Sequence, residues 1–275
     1  MTKIAVIGIV GQSVFLSVND FGVTGQTTVA NRKHVELGGK GFNQAVAAAK
    51  MGADVRFLGA CHSGDVKEYK AVAKSYGVKA YLCPKKQDSP YAVITTDRQG
   101  DNRVCVYHGA ALSPADVYAF APQLRRAGVL LLNNEVPVDV LTAACEIARQ
   151  SQTKIILNPA PQRDCPREVL DAVDLFTPNQ HETAGLDEYK NVVVTLGDKG
   201  CLLKQTGEII PPYAVPNVVD TTGAGDTFNG VLAVLYAQGI PITTAAQTAC
   251  KAAGLKIQKP YVLDAIPTRK QIYGE

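Results

Sequence analysis

Residues 218–230 read VVDTTGAGDTFNG and place Gly223, Ala224 and Gly225 directly ahead of Asp226, at the mouth of a helix-period run. Glycine loses more backbone freedom on folding than other residues, so its use at a helix start needs a reason. Backbone N–H groups from 223–226 would point out of that start and form an anion hole suited to a transferring phosphoryl group. A carboxylate beside phosphate repels it, which makes sense if Asp226 is a base taking a proton from an attacking hydroxyl. The competing reading is that Asp226 only caps the helix.

Three other stretches carry oxygen, amide or ammonium groups beside a turn. GGKGFNQA (38–45) runs glycines into a helix. Its backbone can approach a ligand closely, Lys40 adds positive charge, and Asn43 can donate and accept. An ordinary glycine turn before a core helix is equally open. TPNQHE (177–182) follows a strand, and Asn179 and Glu182 offer the oxygen ligands Mg²⁺ takes, although Asn and Glu after a proline are also common at helix starts. TLGDKG (195–200) leaves a strand through a glycine turn that would let a nucleotide lie close, or is a plain hairpin.

The elements that must position these groups alternate. KIAVIGI (3–9), DVRFLGA (54–60), GVLLLN (128–133), KIILN (154–158) and NVVVTL (191–196) read as strands. Helices are expected over 41–52, with Phe42, Ala45, Val46 and Ala49 on one face, over 68–77 and over 138–150. An apolar strand is expected over 213–220, leading into the glycine segment. Strand–helix alternation implies a parallel sheet with helices on both faces. Residues 14–37, and 91–109 with their polar, Gly-containing turn, break that rhythm and read as a small β-sheet projecting from the α/β body. The expected division is 1–13, 38–90 and 109–275 for the body, with 14–37 and 91–108 for the lid.

In this order the segments, together with LNPAP (157–161), resemble the ribokinase, or PfkB, family of carbohydrate kinases over nearly the whole chain. The resemblance implies a Rossmann-like α/β three-layer sandwich with a mostly parallel sheet and a small β-sheet lid, often dimerising through the lids. It implies ATP- and Mg²⁺-dependent phosphorylation of a primary hydroxyl. Asp226 would be the catalytic base, with Gly223, Ala224 and Gly225 as the anion hole. Asn179 and Glu182 would serve Mg²⁺ and the phosphates, and Thr195 and Gly197 would sit near the nucleotide. Gly39, Lys40, Asn43 and Glu135 would contact the sugar. Asp220 would belong to a loop for a monovalent cation such as K⁺.

The sequence also departs from the family. Gly11 and Ser13 stand where an Asn and a sugar-gripping Asp are usual. Hydrogen bonds to charged groups contribute roughly 1.5–3 kcal/mol against about 1 for neutral ones, so the substitution argues against simple ribose. Asp20 lies further along the lid. Few residues separate TPNQHE from NVVVTL, so a helix common in relatives is lost. KPYVLDAIP (259–267) replaces a glycine-containing loop. A nucleoside such as pseudouridine is the alternative acceptor, and a non-catalytic ligand-binding protein is the alternative class.

Composition narrows the classes further. Of 275 residues, 46% are apolar and 19% charged, a globular balance. The net charge of +3 comes without long basic runs, so no nucleic-acid partner is expected. No apolar stretch is long enough to span a bilayer. MTKIAVIGIVG reads as a buried first strand and lacks the cleavage site of a signal peptide. The seven cysteines form no C-x-x-C pair and fit a reduced, cytoplasmic setting. His34, His62, His108 and His181 show no metal-ligand spacing, although His108 adjoins the lid. GIVG (8–11) lacks the three-glycine pattern of a nicotinamide dinucleotide site.

Overall fold

Strand β1 (Lys3–Ile7) is covered on both faces, with Ile4, Ala5, Val6 and Ile7 fully buried. That is why its sequence runs apolar without alternation. In the computed structural model, which describes residues 1–99 and 101–274, β1 is an inner strand of a six-stranded parallel sheet. Its order is β10-β9-β8-β1-β4-β5, with β4 (Asp54–His62), β5 (Val78–Lys85), β8 (Val129–Asn133), β9 (Lys154–Asn158) and β10 (Leu175–Phe176).

Two apolar layers clasp this sheet. Ile4 and Val6 face a cluster with Phe42, Val46, Phe228 and Val231, while Ala5 and Ile7 face one with Val117, Leu124, Val140 and Val169. The first layer holds α1 (Lys40–Lys50), α2 (Val66–Ser75), α6 (Ala224–Ala237), α7 (Ile242–Lys256) and α8 (Arg269–Tyr273). The second holds α3 (Pro114–Leu124), α4 (Val138–Gln150) and α5 (Arg167–Leu170). Helix α1 ends at Gly52, whose φ of 95° suits glycine and whose N–H closes on the Ala49 carbonyl. It is buried from Gly41 to Ala48, on more than the one face expected, because α6 covers the side turned from the sheet. Helix α2 starts two residues earlier than the sequence suggested and stops at Gly77.

The projecting sheet has the order β3-β2-β6-β7, from β2 (Gly11–Ser17), β3 (Arg32–Gly38), β6 (Tyr91–Thr96) and β7 (Asn102–Tyr107). It takes in Gly11, Ser13 and Gly38, which the sequence reading gave to the α/β body, because the β2–β3 ladder runs on to the Gly11–Gly38 pair. Gly100, in the expected hairpin turn, lies outside the described residues.

Two expected strands change. Residues 213–220 form no strand: Pro211, Pro212 and Pro216 remove backbone donors, and Val218 and Val219 are exposed. The Val219 and Asp220 N–H groups donate to the Ile257 carbonyl instead. The 191–196 run shortens to β11 (Val193–Thr195) and joins β12 (Cys201–Leu203) and β13 (Glu208–Ile210) in an antiparallel sheet. Parallel bridges from Phe176 to Val192 and from Asn179 to Thr195 tie it to β10 and to the turn that follows β10. Among the described residues no helix is long and apolar enough to cross a membrane.

Candidate active site

Helix α6 starts at a left-handed residue, Gly223, with φ of 75°. A Cβ there would lie 2.6 Å from Val262 Cγ1, so the backbone needs glycine twice over. The Ala224 N–H donates to the Thr221 carbonyl at 3.1 Å, closing a turn. Ala224, expected to offer its N–H to an anion, therefore has no free donor. The N–H groups of Gly223, Gly225 and Asp226 have no protein acceptor among the described residues. Nothing would lie within 4 Å of a Cβ on Gly225, so the helix start faces open space there.

Asp226 is the third residue of α6 and does not cap it. Its side chain reaches across to α1: Asn43 Nδ2 donates to Oδ2 at 2.9 Å and Gln44 Nε2 to Oδ1 at 3.2 Å. Gln44 Nε2 also lies 3.2 Å from Asn158 Oδ1. The two helices approach this closely because residue 230 is glycine. A Cβ there would stand 2.4 Å from the Gln44 carbonyl oxygen and 2.5 Å from Ala47 Cβ.

Three cavities meet around this carboxylate. One of about 410 Å³ is lined by Gly11, Ser13, Gly39, Lys40, Asn43 and Glu135, under the projecting sheet. One of about 110 Å³ is lined by Asn179, Glu182, Thr195 and Gly225. Both include Lys40, Gly223 and Asp226. A third, mostly apolar and about 510 Å³, shares Thr195 and Gly225 with the second and continues past Gly197, Tyr213 and Gly254. Asp226 and the free N–H groups therefore sit between the chamber under the projecting sheet and the apolar one beyond Thr195.

The charges in this region are coupled. Asp226, foremost, holds the Lys40 ammonium above the usual lysine range against the opposing effect of burial, and Glu135 and Glu182 add to it. Burial pushes the Glu135 carboxyl up to about 7. Asp226 adds to that rise, while the Lys40 ammonium and backbone N–H oppose it. Glu135 Oε2 accepts from that N–H at 2.8 Å, at the start of α1.

The remaining predicted residues are placed as follows. Gly11 and Ser13 open β2 at the rim of the chamber under the projecting sheet. Gly38 leaves room for Ser13, whose Oγ lies 2.1 Å from where a Gly38 Cβ would stand. Asn179 and Glu182 form a local turn, with the Asn179 N–H on Glu182 Oε2 at 3.0 Å and the His181 N–H on Asn179 Oδ1 at 2.7 Å. Asp220 lies on none of the three cavities. Its Oδ1 accepts from the Thr222 N–H and its Oδ2 from the Tyr261 N–H, each at 2.8 Å. Its carbonyl accepts from Lys256 Nζ at 2.8 Å. Both carboxylate oxygens of Asp220, expected at a cation loop, and its carbonyl therefore already carry protein donors.

The sequence reading missed Gln44, Gly230, Lys256 and Tyr261. The signal for Gln44 and Lys256 was a polar residue inside an alanine-rich helix, and for Gly230 a glycine in mid-helix. Tyr261 takes a left-handed φ of 62° where glycine would be easier, a strain of about 1–3 kcal/mol. Its ring stacks on His34 with centroids 3.7 Å apart. His108 lines the chamber under the projecting sheet.

A family model described as pfkB family carbohydrate kinase matches residues 1–269. The bifunctional ribokinase/ribose-5-phosphate isomerase A of Fructilactobacillus sanfranciscensis is 33% identical over 99% of this chain, which spans 56% of that relative's length. The ribokinase of Bacillus subtilis is 30% identical over 99% of this chain and 98% of its own. Among solved structures, the ribokinase of Giardia lamblia superposes with a TM-score of 0.89 at 24% identity, covering 99% of this chain and 98% of its own. Arabidopsis thaliana ribokinase complexed with ribose and ATP gives 0.84 at 24%, over 99% and 97%. A Burkholderia thailandensis nucleoside kinase in complex with inosine gives 0.85 at 21%, over 98% and 94%.

Proposed function

Since the chain belongs to the pfkB family of carbohydrate kinases, we propose that it transfers the γ-phosphoryl group of ATP to a primary hydroxyl of a sugar other than free ribose, with Asp226 as base. The observation that carries this reading is the position of Asp226 and the free N–H groups between the chamber under the projecting sheet and the apolar chamber beyond Thr195.

In this reading the acceptor lies in the chamber of Gly11, Ser13, Gly39, Lys40 and Glu135, with a hydroxyl beside Asp226. Asn43 and Gln44 fix the carboxylate by one amide donor on each oxygen, which leaves lone pairs for the hydroxyl proton. The acceptor oxygen bonds to the γ-phosphorus as the bond to the bridging oxygen breaks. The proton passes to Asp226, and ADP leaves. The N–H groups of Gly223, Gly225 and Asp226 face the charge that develops on the phosphoryl oxygens, and Lys40 adds its ammonium. The nucleotide occupies the apolar chamber beyond Thr195 and Gly197, which the ATP in the Arabidopsis complex supports as the donor.

Asn179 and Glu182 suit a hard cation, since both present oxygen atoms on the cavity that holds the anion hole. They would hold Mg²⁺, which supplies neutralisation of phosphate charge. Ser13 offers a neutral hydroxyl in place of a carboxylate, which argues against free ribose. A lid-to-lid homodimer and a cytoplasmic setting belong to the same proposal. Sedimentation of the purified protein tests the dimer.

One observation favours a nucleoside as the second reading. A further, mostly apolar cavity of about 330 Å³ shares Ile9, His108, Glu135 and Pro161 with the acceptor chamber and gives room for a base. ATP consumption against a panel of sugars and nucleosides, for the wild type and Asp226→Asn, tests both readings. Tight ligand binding without turnover of any acceptor would leave a binding protein on this fold.

A further inference from the structure

Lys256 is the last residue of α7 and is completely buried. Burying an ammonium costs several kcal/mol even after relaxation, so its partner has to be placed with care. Among the described residues Lys256 makes no salt bridge, and its one hydrogen-bond acceptor is the Asp220 carbonyl at 2.8 Å. The acidic groups that face it are those of Asp220, Glu36 and Asp226.

That carbonyl opens the turn that ends at the anion hole. The N–H groups of Val219 and Asp220 return the contact by donating to the carbonyl of Ile257, the residue after Lys256. The Asp220 carboxylate bridges the Thr222 and Tyr261 N–H groups, and Val262 packs on Gly223. Lys256 therefore holds the turn from behind, at a helix C-terminus where a positive charge is favoured.

The resemblance implied a monovalent cation at Asp220, and these residues do not fit one. A potassium ion within ligand distance of the Asp220 carbonyl would sit against the ammonium already bonded there. Two like charges in a buried site repel strongly. We infer that the Lys256 ammonium is the resident cation of this turn. It is a positioning residue that fixes the 220–223 backbone and so aims the free N–H groups, and phosphoryl transfer needs no monovalent cation from solution. The catalytic part of this inference rests on the kinase reading above.

The test compares potassium chloride with choline chloride at equal ionic strength, for the wild type, Lys256→Ala and Lys256→Met. The wild type is expected to show the same melting temperature and kcat in both salts. Lys256→Ala is expected to lose between about tenfold and a hundredfold in kcat with little change in acceptor KM. Potassium, ammonium or methylammonium then restores part of the loss and raises its melting temperature. Lys256→Met fills the space without charge and is not restored. Potassium activation or stabilisation of the wild type overturns the inference, and so does an unchanged kcat or a lack of rescue in Lys256→Ala. If no acceptor turns over in either salt, the kinase reading has failed and the melting comparison alone decides. If Lys256→Ala does not fold, the wild-type comparison still decides.

Discussion

Asn43 Nδ2 donates to Asp226 Oδ2 across 2.9 Å, joining two residues 183 positions apart in the chain. Gln44 holds the other oxygen, so the carboxylate is fixed by two amides that can only donate through nitrogen. In Asp226→Asn one amide nitrogen faces another unless the Asn43 or Gln44 amide flips to present its unpartnered oxygen, and the group no longer accepts a proton. We expect kcat to fall by about 10²–10⁴, the range for loss of a general base, with ATP affinity retained. Steady-state kinetics and nucleotide titration check it. A variant within threefold of wild type would remove Asp226 from the chemistry.

The two glycines of the proposed anion hole should respond in opposite ways to alanine. Gly223→Ala forces a side chain into a φ of 75° and against Val262, so we expect a loss of about 1–3 kcal/mol in stability together with activity. Gly225→Ala meets nothing within 4 Å and replaces glycine near a helix start, so stability should hold or rise by about 0.5–1 kcal/mol. Its methyl group enters the phosphate cavity, so KM for ATP should rise. Denaturant unfolding and kinetics on both variants separate fold from function.

Glu135 makes stability depend on pH. Its folded pKa, about 7, lies above the usual glutamate value of 4.5, mainly through burial. The folded state therefore binds the proton more tightly than the unfolded state. The resulting stabilisation is fully present below about pH 4.5 and is lost as pH rises through 7. Glu135→Gln removes this dependence. The wild type should lose on the order of a few kcal/mol relative to the variant between pH 5 and about 8. Melting curves across that window decide it, and parallel curves for the two proteins would reject the assignment.

Gly230→Ala probes the helix pair that carries the site. The new Cβ would lie 2.4 Å from the Gln44 carbonyl oxygen and 2.9 Å from the Ala48 nitrogen, which are backbone atoms that cannot rotate away. We expect a loss of about 1–3 kcal/mol from overpacking, and a fall in kcat as Asn43 and Gln44 move away from Asp226. Urea unfolding beside kinetics measures both. An unperturbed melt would mean that the helices separate without cost.

The parallel body was legible because buried strands announce themselves. KIAVI and KIILN are continuous apolar runs between turn residues, and β9 spans the five residues expected for it. Helix α4 likewise runs from Val138 to Gln150 as its periodicity indicated. The 213–220 segment misled because its apolar residues looked like a strand, while three prolines in and just before it deny it a ladder. The start of α6 leaves one free N–H fewer than the glycine segment suggested, since a sequence does not say that the Ala224 N–H closes a turn on Thr221.

Local chemistry is what the sequence by itself determined. Glycines marked where the backbone must turn or come close, an acidic residue after them marked a carboxylate at a helix start, and apolar periods marked which strands and helices must be buried. Tertiary structure alone decided which groups share a space: Asn43 and Gln44 on Asp226, Glu135 on the start of α1, and Lys256 beneath Asp220. The physical reason is range. Backbone preference acts over a few neighbouring residues, whereas hydrogen bonds, burial and charge act through space between segments that only the packed sheet and helices bring together.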